Sequence, residues 1–246
     1  MRLAIVGSAC QGKTTLINDM IKNWPIYKRS EESYRKLLKN EKILINKQVN
    51  KDGQWKILNC LIDDIQKTSK GDYIIFDRCP LDNLIYSLWS EEKKASDIDR
   101  KFIEKCIPLV QESMKAIDII FFLPITRVAP VNVEIKENTE IDKEFIKEID
   151  NIFKAITHTM VATGVCPFMS KDDRPPIIEI FGSPEERIEM LKLYINEKGD
   201  LVDGDSSVLD ANNLETMERL LKTQKDIEKD EKIEKQIKNR IILGNK

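Results

Sequence analysis

Residues 7–14, Gly7-Ser8-Ala9-Cys10-Gln11-Gly12-Lys13-Thr14, place two glycines separated by four residues ahead of a lysine and a threonine, with Thr15 following. Glycines let a backbone curl until successive N–H groups point inward, and inward amides at a helix start favour anionic oxygens. The Lys13 ammonium would reach the terminal phosphates of a bound polyphosphate, and the Thr14 hydroxyl would join the coordination shell of Mg²⁺. Residues 7–15 therefore read as a cradle for a nucleoside triphosphate. A second stretch, "YIIFDRCPLDN" at 73–83, closes an apolar run with Asp77-Arg78. Asp77 would either assist Mg²⁺ through water or accept the proton of an attacking hydroxyl, and Arg78 would hold a substrate oxyanion. Asp82 and Asn83 would line an acceptor pocket or cap the helix that follows.

These groups need rigid elements behind them. Short, nearly continuous apolar runs at 3–6, 73–76, 119–123 and 177–181, with a fifth at 26–29, suit strands buried on both faces of a parallel sheet. Helical patterns lie between them at 13–23, 31–40, 56–69, 81–92, 99–116 and 142–163. In the last, Phe145, Ile149, Ile152, Phe153, Ile156 and Met160 recur at helical spacing and Gly164 stops the run. "GSPEER" opens a further helix with Ser183 as cap, Pro184 at the first helical position and Glu186 closing a capping box. Alternating strands and helices predict an α/β fold, a doubly wound, mainly parallel five-stranded sheet with helices on both faces. In such a sheet, ligands collect beyond the carboxyl ends of the strands, where residues 7–15 and 77–78 emerge.

The 246 residues carry 40 basic and 42 acidic side chains, a balance that argues against a protein that coats nucleic acid. No apolar run approaches a membrane span. The five cysteines are scattered without metal-binding spacing, and "MRLAIVG" lacks the features of a signal peptide, which together suggest a cytoplasmic protein. Residues 1–198 are expected to form one domain. Residues 199–246 read as a loop followed by a charged helix at about 214–243, with a thin apolar stripe of Ile233, Ile237 and Ile241. That helix is either a solvated face packed on the domain or an arm for nucleic acid or homo-oligomerisation.

The glycine loop together with "DRCPLDN" resembles the P-loop nucleoside and nucleotide kinases, thymidylate-kinase-like proteins above all. Within them the resemblance is to phage-encoded kinases that act on deoxynucleoside monophosphates or on a hydroxymethylated pyrimidine in DNA. It spans about residues 1–195. It implies a P-loop NTPase fold, ATP and Mg²⁺ as cofactors, host cytoplasm as the location, and transfer of the γ-phosphate to a nucleotide or DNA acceptor. It also implies roles for residues. Asp77 matches the acidic residue that activates the acceptor or organises Mg²⁺, and Arg78 the arginine near the acceptor. Residues 124–142 fall where such kinases insert a lid, which makes Arg127 the candidate to meet charge on the transferring phosphoryl. Gly182, Ser183 and Pro184 fall at the adenine-side loop, and Tyr34-Arg35 where early acceptor contacts occur. The other reading is a regulatory NTPase that hydrolyses ATP as a switch and makes no phosphorylated product.

Overall fold

The computed structural model describes residues 1–31, 33–126, 142–166, 168–169 and 174–202. Five strands, β1 (Arg2–Val6), β2 (Lys28–Arg29), β3 (Ile74–Asp77), β4 (Ile119–Phe122) and β5 (Ile177–Glu179), form one sheet in the order β2-β3-β1-β4-β5. Every pairing is parallel, with Leu3 opposite Ile75 on one side and Ile119 on the other. Among the described residues seven α-helices accompany them: α1 (Lys13–Asn23), α2 (Ser33–Glu41), α3 (Lys51–Gln66), α4 (Pro80–Glu92), α5 (Arg100–Met114), α6 (Lys143–Thr163) and α7 (Pro184–Lys192).

Because side chains alternate along a strand, β1, β3, β4 and β5 feed two cores, one on each face of the sheet. Leu3, Ile5, Ile75, Ile119 and Phe121 pack with Leu16, Ile17 and Met20 of α1 and with Ile188 and Leu191 of α7. Their neighbours Ala4, Val6, Phe76, Ile120 and Phe122 face the opposite way, onto Leu58 of α3, Leu84 and Ile85 of α4, Ile103 of α5 and Phe153 of α6. Phe122 stacks on Phe153 with ring centroids 5.1 Å apart, which pins α6 beneath the strand that ends beside the glycine loop. The doubly wound α/β sheet with helices on both faces is therefore the fold of this chain.

Element limits differ from the sequence pattern where a local cap overrides hydrophobic periodicity. The helix expected at 56–69 begins at Lys51, because the Asn50 side chain accepts from Gly53 N at 2.8 Å and fixes the first turn. The strand expected at 73–76 runs one residue further and includes Asp77, while that expected at 177–181 stops at Glu179. At the edge of the sheet β2 shortens to two residues. Arg127, nearly all of the expected lid, and the charged helix at 214–243 lie outside the described residues.

Candidate active site

Val6 ends β1, and the chain turns at once into the glycine loop. Gly7 has φ +140°, and a Cβ there would stand 2.8 Å from the Leu123 carbonyl oxygen, so the close approach of the chain leaving β4 demands glycine. Gly12, at φ +77°, caps α1. Between them Cys10 sits exposed at φ +63°. Lys13 is the first residue of α1, and its buried ammonium donates to the carbonyls of Gly7 at 2.8 Å and Ser8 at 2.5 Å. Burial, reinforced by the Arg78 guanidinium, lowers its pKa from 10.5 to about 7 against the opposing pull of Asp82 and Asp77.

Asp77 ends β3, one strand over from the loop. Its buried carboxylate accepts from Arg35 Nη2 at 2.7 Å, and the same guanidinium nitrogen lies 3.4 Å from the Thr14 hydroxyl. Arg35 comes from α2, so one side chain ties that helix to Asp77 and to Thr14 of the glycine loop. The other carboxylate oxygen of Asp77, Oδ1, is buried with no hydrogen-bond partner. That orphaned oxygen, on a carboxylate that shares Arg35 with the Thr14 hydroxyl, fits a divalent cation, since hard cations take oxygen ligands and an unpaired buried acceptor is otherwise costly.

Arg78 leaves the strand at φ +82°, a strained conformation held by its N–H donating to Ile5 O at 3.1 Å. The turn aims its guanidinium over the Tyr86 ring, 5.3 Å from the centroid, and within 3.4 Å of Asp82 Oδ1. Asp82 is at once helix cap and pocket wall. Its carboxylate accepts from Cys79 N at 3.1 Å, closing a capping box at the start of α4, and it borders a cavity. Burial pushes its carboxyl up, and Arg78 and Lys13 hold it back.

That cavity, of about 110 Å³, lies between α2, α3 and α4 and is lined by Tyr34, Leu38, Ile57, Leu61, Arg78, Asp82, Asn83 and Tyr86, among others. Asn83 donates from Nδ2 to the Gln54 backbone oxygen at 3.1 Å and to the Gln54 side-chain oxygen, while its own Oδ1 is buried and unpartnered. Neither Trp55 nor Trp89 lines the cavity. Trp89 is buried edge-on against Phe145, with centroids 4.6 Å apart, and Trp55 packs beside Phe102 under Lys105. The aromatic rings that do line it are Tyr34 and Tyr86.

Gly182, Ser183 and Pro184 form the turn into α7. Ser183 and Glu186 exchange the two bonds of a capping box, at 3.2 and 2.8 Å. Arg187 then reaches from α7 to the glycine loop, donating from Nη1 to Gln11 O at 2.9 Å and from Nε to Gly182 O at 3.0 Å. Thus the structure brings together Lys13, Thr14, Asp77, Arg78, Asp82, Asn83 and Arg35, with the residues 182–184 turn alongside. Arg187 and Gln54 escaped the sequence reading. Each is a polar residue on an apolar helix stripe, Arg187 three and four positions before Met190 and Leu191, and Gln54 before Ile57 and Leu58, and that mismatch was the available signal.

A family model described as an AAA domain matches residues 2–166. No curated protein matches the chain. Among solved structures, the chain is similar to deoxyadenosine kinase from M. mycoides with the products dCMP and dCDP bound: TM-score 0.56 and 16% identity, covering 78% of this chain and 96% of that one. It is similar to the NadR protein in complex with NR at TM-score 0.54 and 14% identity, covering 83% of this chain but only 53% of NadR. Thymidylate kinase from Candida albicans gives TM-score 0.53 and 14% identity over 82% of this chain and 94% of that one. Identities of this size speak for a shared fold.

Proposed function

The chain belongs to the AAA domain family, whose model spans two thirds of it, and from that premise we propose that it is an ATP-dependent phosphotransferase acting on a small nucleoside- or nucleotide-type acceptor. The observation that carries this reading is the junction of two sites. The glycine loop with Lys13 and Thr14 opens beside Asp77 and Arg78, and Arg78 and Asp82 in turn wall the cavity of about 110 Å³. A triphosphate held by the loop N–H groups and Lys13 would present its terminal phosphoryl toward Asp77, and an acceptor in the cavity would present its hydroxyl to the same carboxylate. Phosphoryl transfer asks little more of a protein than this positioning and charge stabilisation.

Thr14 and Asp77 would hold Mg²⁺, which when bound supplies neutralisation of charge on the phosphate oxygens. Asp77 Oδ2, steadied by Arg35, would orient the acceptor hydroxyl and take its proton. Arg78 would meet negative charge on the acceptor side, and Lys13 on the donor side. Arg127 remains a proposed lid arginine, and Gly182 to Pro184 a proposed contact for the base of ATP. The cavity, walled by Leu38, Ile57 and Leu61, favours a free small molecule; a base within DNA would first have to be flipped out of its stack to enter.

The AAA domain match also fits the second reading, a hydrolytic switch. One assay separates them. ATP labelled in the γ-phosphate is offered with pooled nucleosides, nucleoside monophosphates, and DNA carrying ordinary or hydroxymethylated bases. Label on a nucleoside or its monophosphate supports the proposal; label on DNA moves the acceptor to a polymer. Label released only as free phosphate assigns the switch instead.

A further inference from the structure

Arg187 carries no part in the mechanism above, yet it is buried, and among the described residues no carboxylate offsets its charge. A buried guanidinium without an anion is costly unless its N–H groups are bonded. Here they are spent on two carbonyl oxygens, Gln11 in the glycine loop and Gly182 in the turn before α7. The space for this is made by Gly12, where a Cβ would stand 3.1 Å from Arg187 Nη1.

Geometry gives the first bond a consequence. The Gln11 carbonyl and the Gly12 N–H belong to one peptide unit. A charged donor on the carbonyl fixes the plane of that unit and polarises it, so the N–H at its other end becomes a stronger and better-aimed donor. That N–H opens the helix that begins at Lys13, where the cradle's amides gather. The second bond ties the same guanidinium to the turn proposed to touch the base. Resting on the functional reading above, we propose that Arg187 is a positioning residue for polyphosphate: it holds and polarises the Gln11–Gly12 peptide from behind, and locks the phosphate loop to the residues 182–184 turn.

The test uses the full chain and three variants, with calorimetric titration of MgATP and of inorganic tripolyphosphate. Arg187→Met is expected to weaken both ligands by the same factor, roughly tenfold or more, the scale of a lost charge-assisted hydrogen bond. Arg187→Lys keeps the charge but cannot span both carbonyls, and is expected to lose roughly three- to tenfold on the same scale. Nitrogen-15 NMR of the ligand-free chain adds a readout that mere loss of stability would leave in place: the Gly12 amide resonance moves in both variants, while in Lys101→Gln, on the exposed face of α5, it stays. A wild-type chain that takes up neither ligand sinks the functional reading. A wild-type chain that binds both, with Arg187→Met within twofold of it, overturns the role of Arg187 alone. Should Arg187→Met fail to fold, wild-type affinity in Arg187→Lys, or an unmoved Gly12 amide, overturns it as well.

Discussion

Lys13 is the residue on which charge and burial conflict most directly. Buried against Arg78, its ammonium loses its proton near pH 7, where an exposed lysine would keep it to 10.5. A bound polyphosphate adds negative charge within reach and restores the proton. The sign follows: above about pH 7 the free protein holds Lys13 neutral and the complex holds it charged, so binding takes up a proton, and affinity falls with rising pH by at most about tenfold per pH unit. The groups that set this balance are Arg78, Asp82, Asp77 and Cys10. Calorimetry at pH 8.5 in two buffers of different ionisation enthalpy should show uptake approaching one proton, and Lys13→Met should abolish it together with most of the affinity. No uptake in the wild type would mean that the lysine is already charged in the free loop. Asp77 sits on the other side of the transfer. Asp77→Asn keeps the shape and the Thr14 side of the cradle, so ATP should still bind while transfer to any acceptor falls by about a hundredfold or more, the usual reach of a positioned base. Single-turnover measurements check this, and near-normal transfer would remove Asp77 from the chemistry.

At the scale of elements, what was legible in sequence is what local physics dictates. The glycine loop, the strand ending in Asp77-Arg78 and the Ser183-Pro184-Glu186 helix start could be read because each depends on near neighbours in the chain. Pairings of residues far apart could not. Arg35 reaches Asp77 across 42 positions and Arg187 reaches Gln11 across 176, and no periodicity encodes either. The early start of α3 was hidden by Gly53, a poor helix former that the Asn50 cap carries into the first turn. Asn50→Ala should therefore cost about 1 kcal/mol in chemical unfolding, with a parallel loss in the cavity that α3 walls. Gly7→Ala makes a harsher test of how β1 delivers the loop. It forces a side chain into φ +140° and against Leu123 O, so stability should drop by at least about 2 kcal/mol and ATP binding should vanish even in the fraction that remains folded. Wild-type affinity in that variant would show that the loop does not need the close approach to the end of β4.

For the molecule as a whole, the question is where the folding unit ends. Among the described residues Ile195 is the last to join either core, but the chain keeps making specific contacts beyond the boundary expected at 198. Trp24 donates its indole N–H to Asn196 O at 2.8 Å, and the buried Tyr27 hydroxyl donates to Gly199 O at 2.6 Å. Tyr73 donates to the Asp200 carboxylate, and Val202 N bonds back to Tyr194 O at 3.0 Å. Gly199 thus fastens Tyr27, in the segment that leads from α1 into β2 at the sheet edge, through a buried bond, and Asp200 fastens Tyr73 just before β3. A chain ending at 202 should melt within a few degrees of the full chain and bind ATP as tightly. One ending at 198 leaves the Tyr27 hydroxyl buried without an acceptor and frees the sheet edge, which should cost about 2–3 kcal/mol and roughly 5–10 °C in melting temperature for a domain of this size. Equal melting of the two truncations would mean that these contacts contribute nothing to folding. A large loss already at 202 would instead make the segment from 203 onward part of the folding unit rather than an appendage to it.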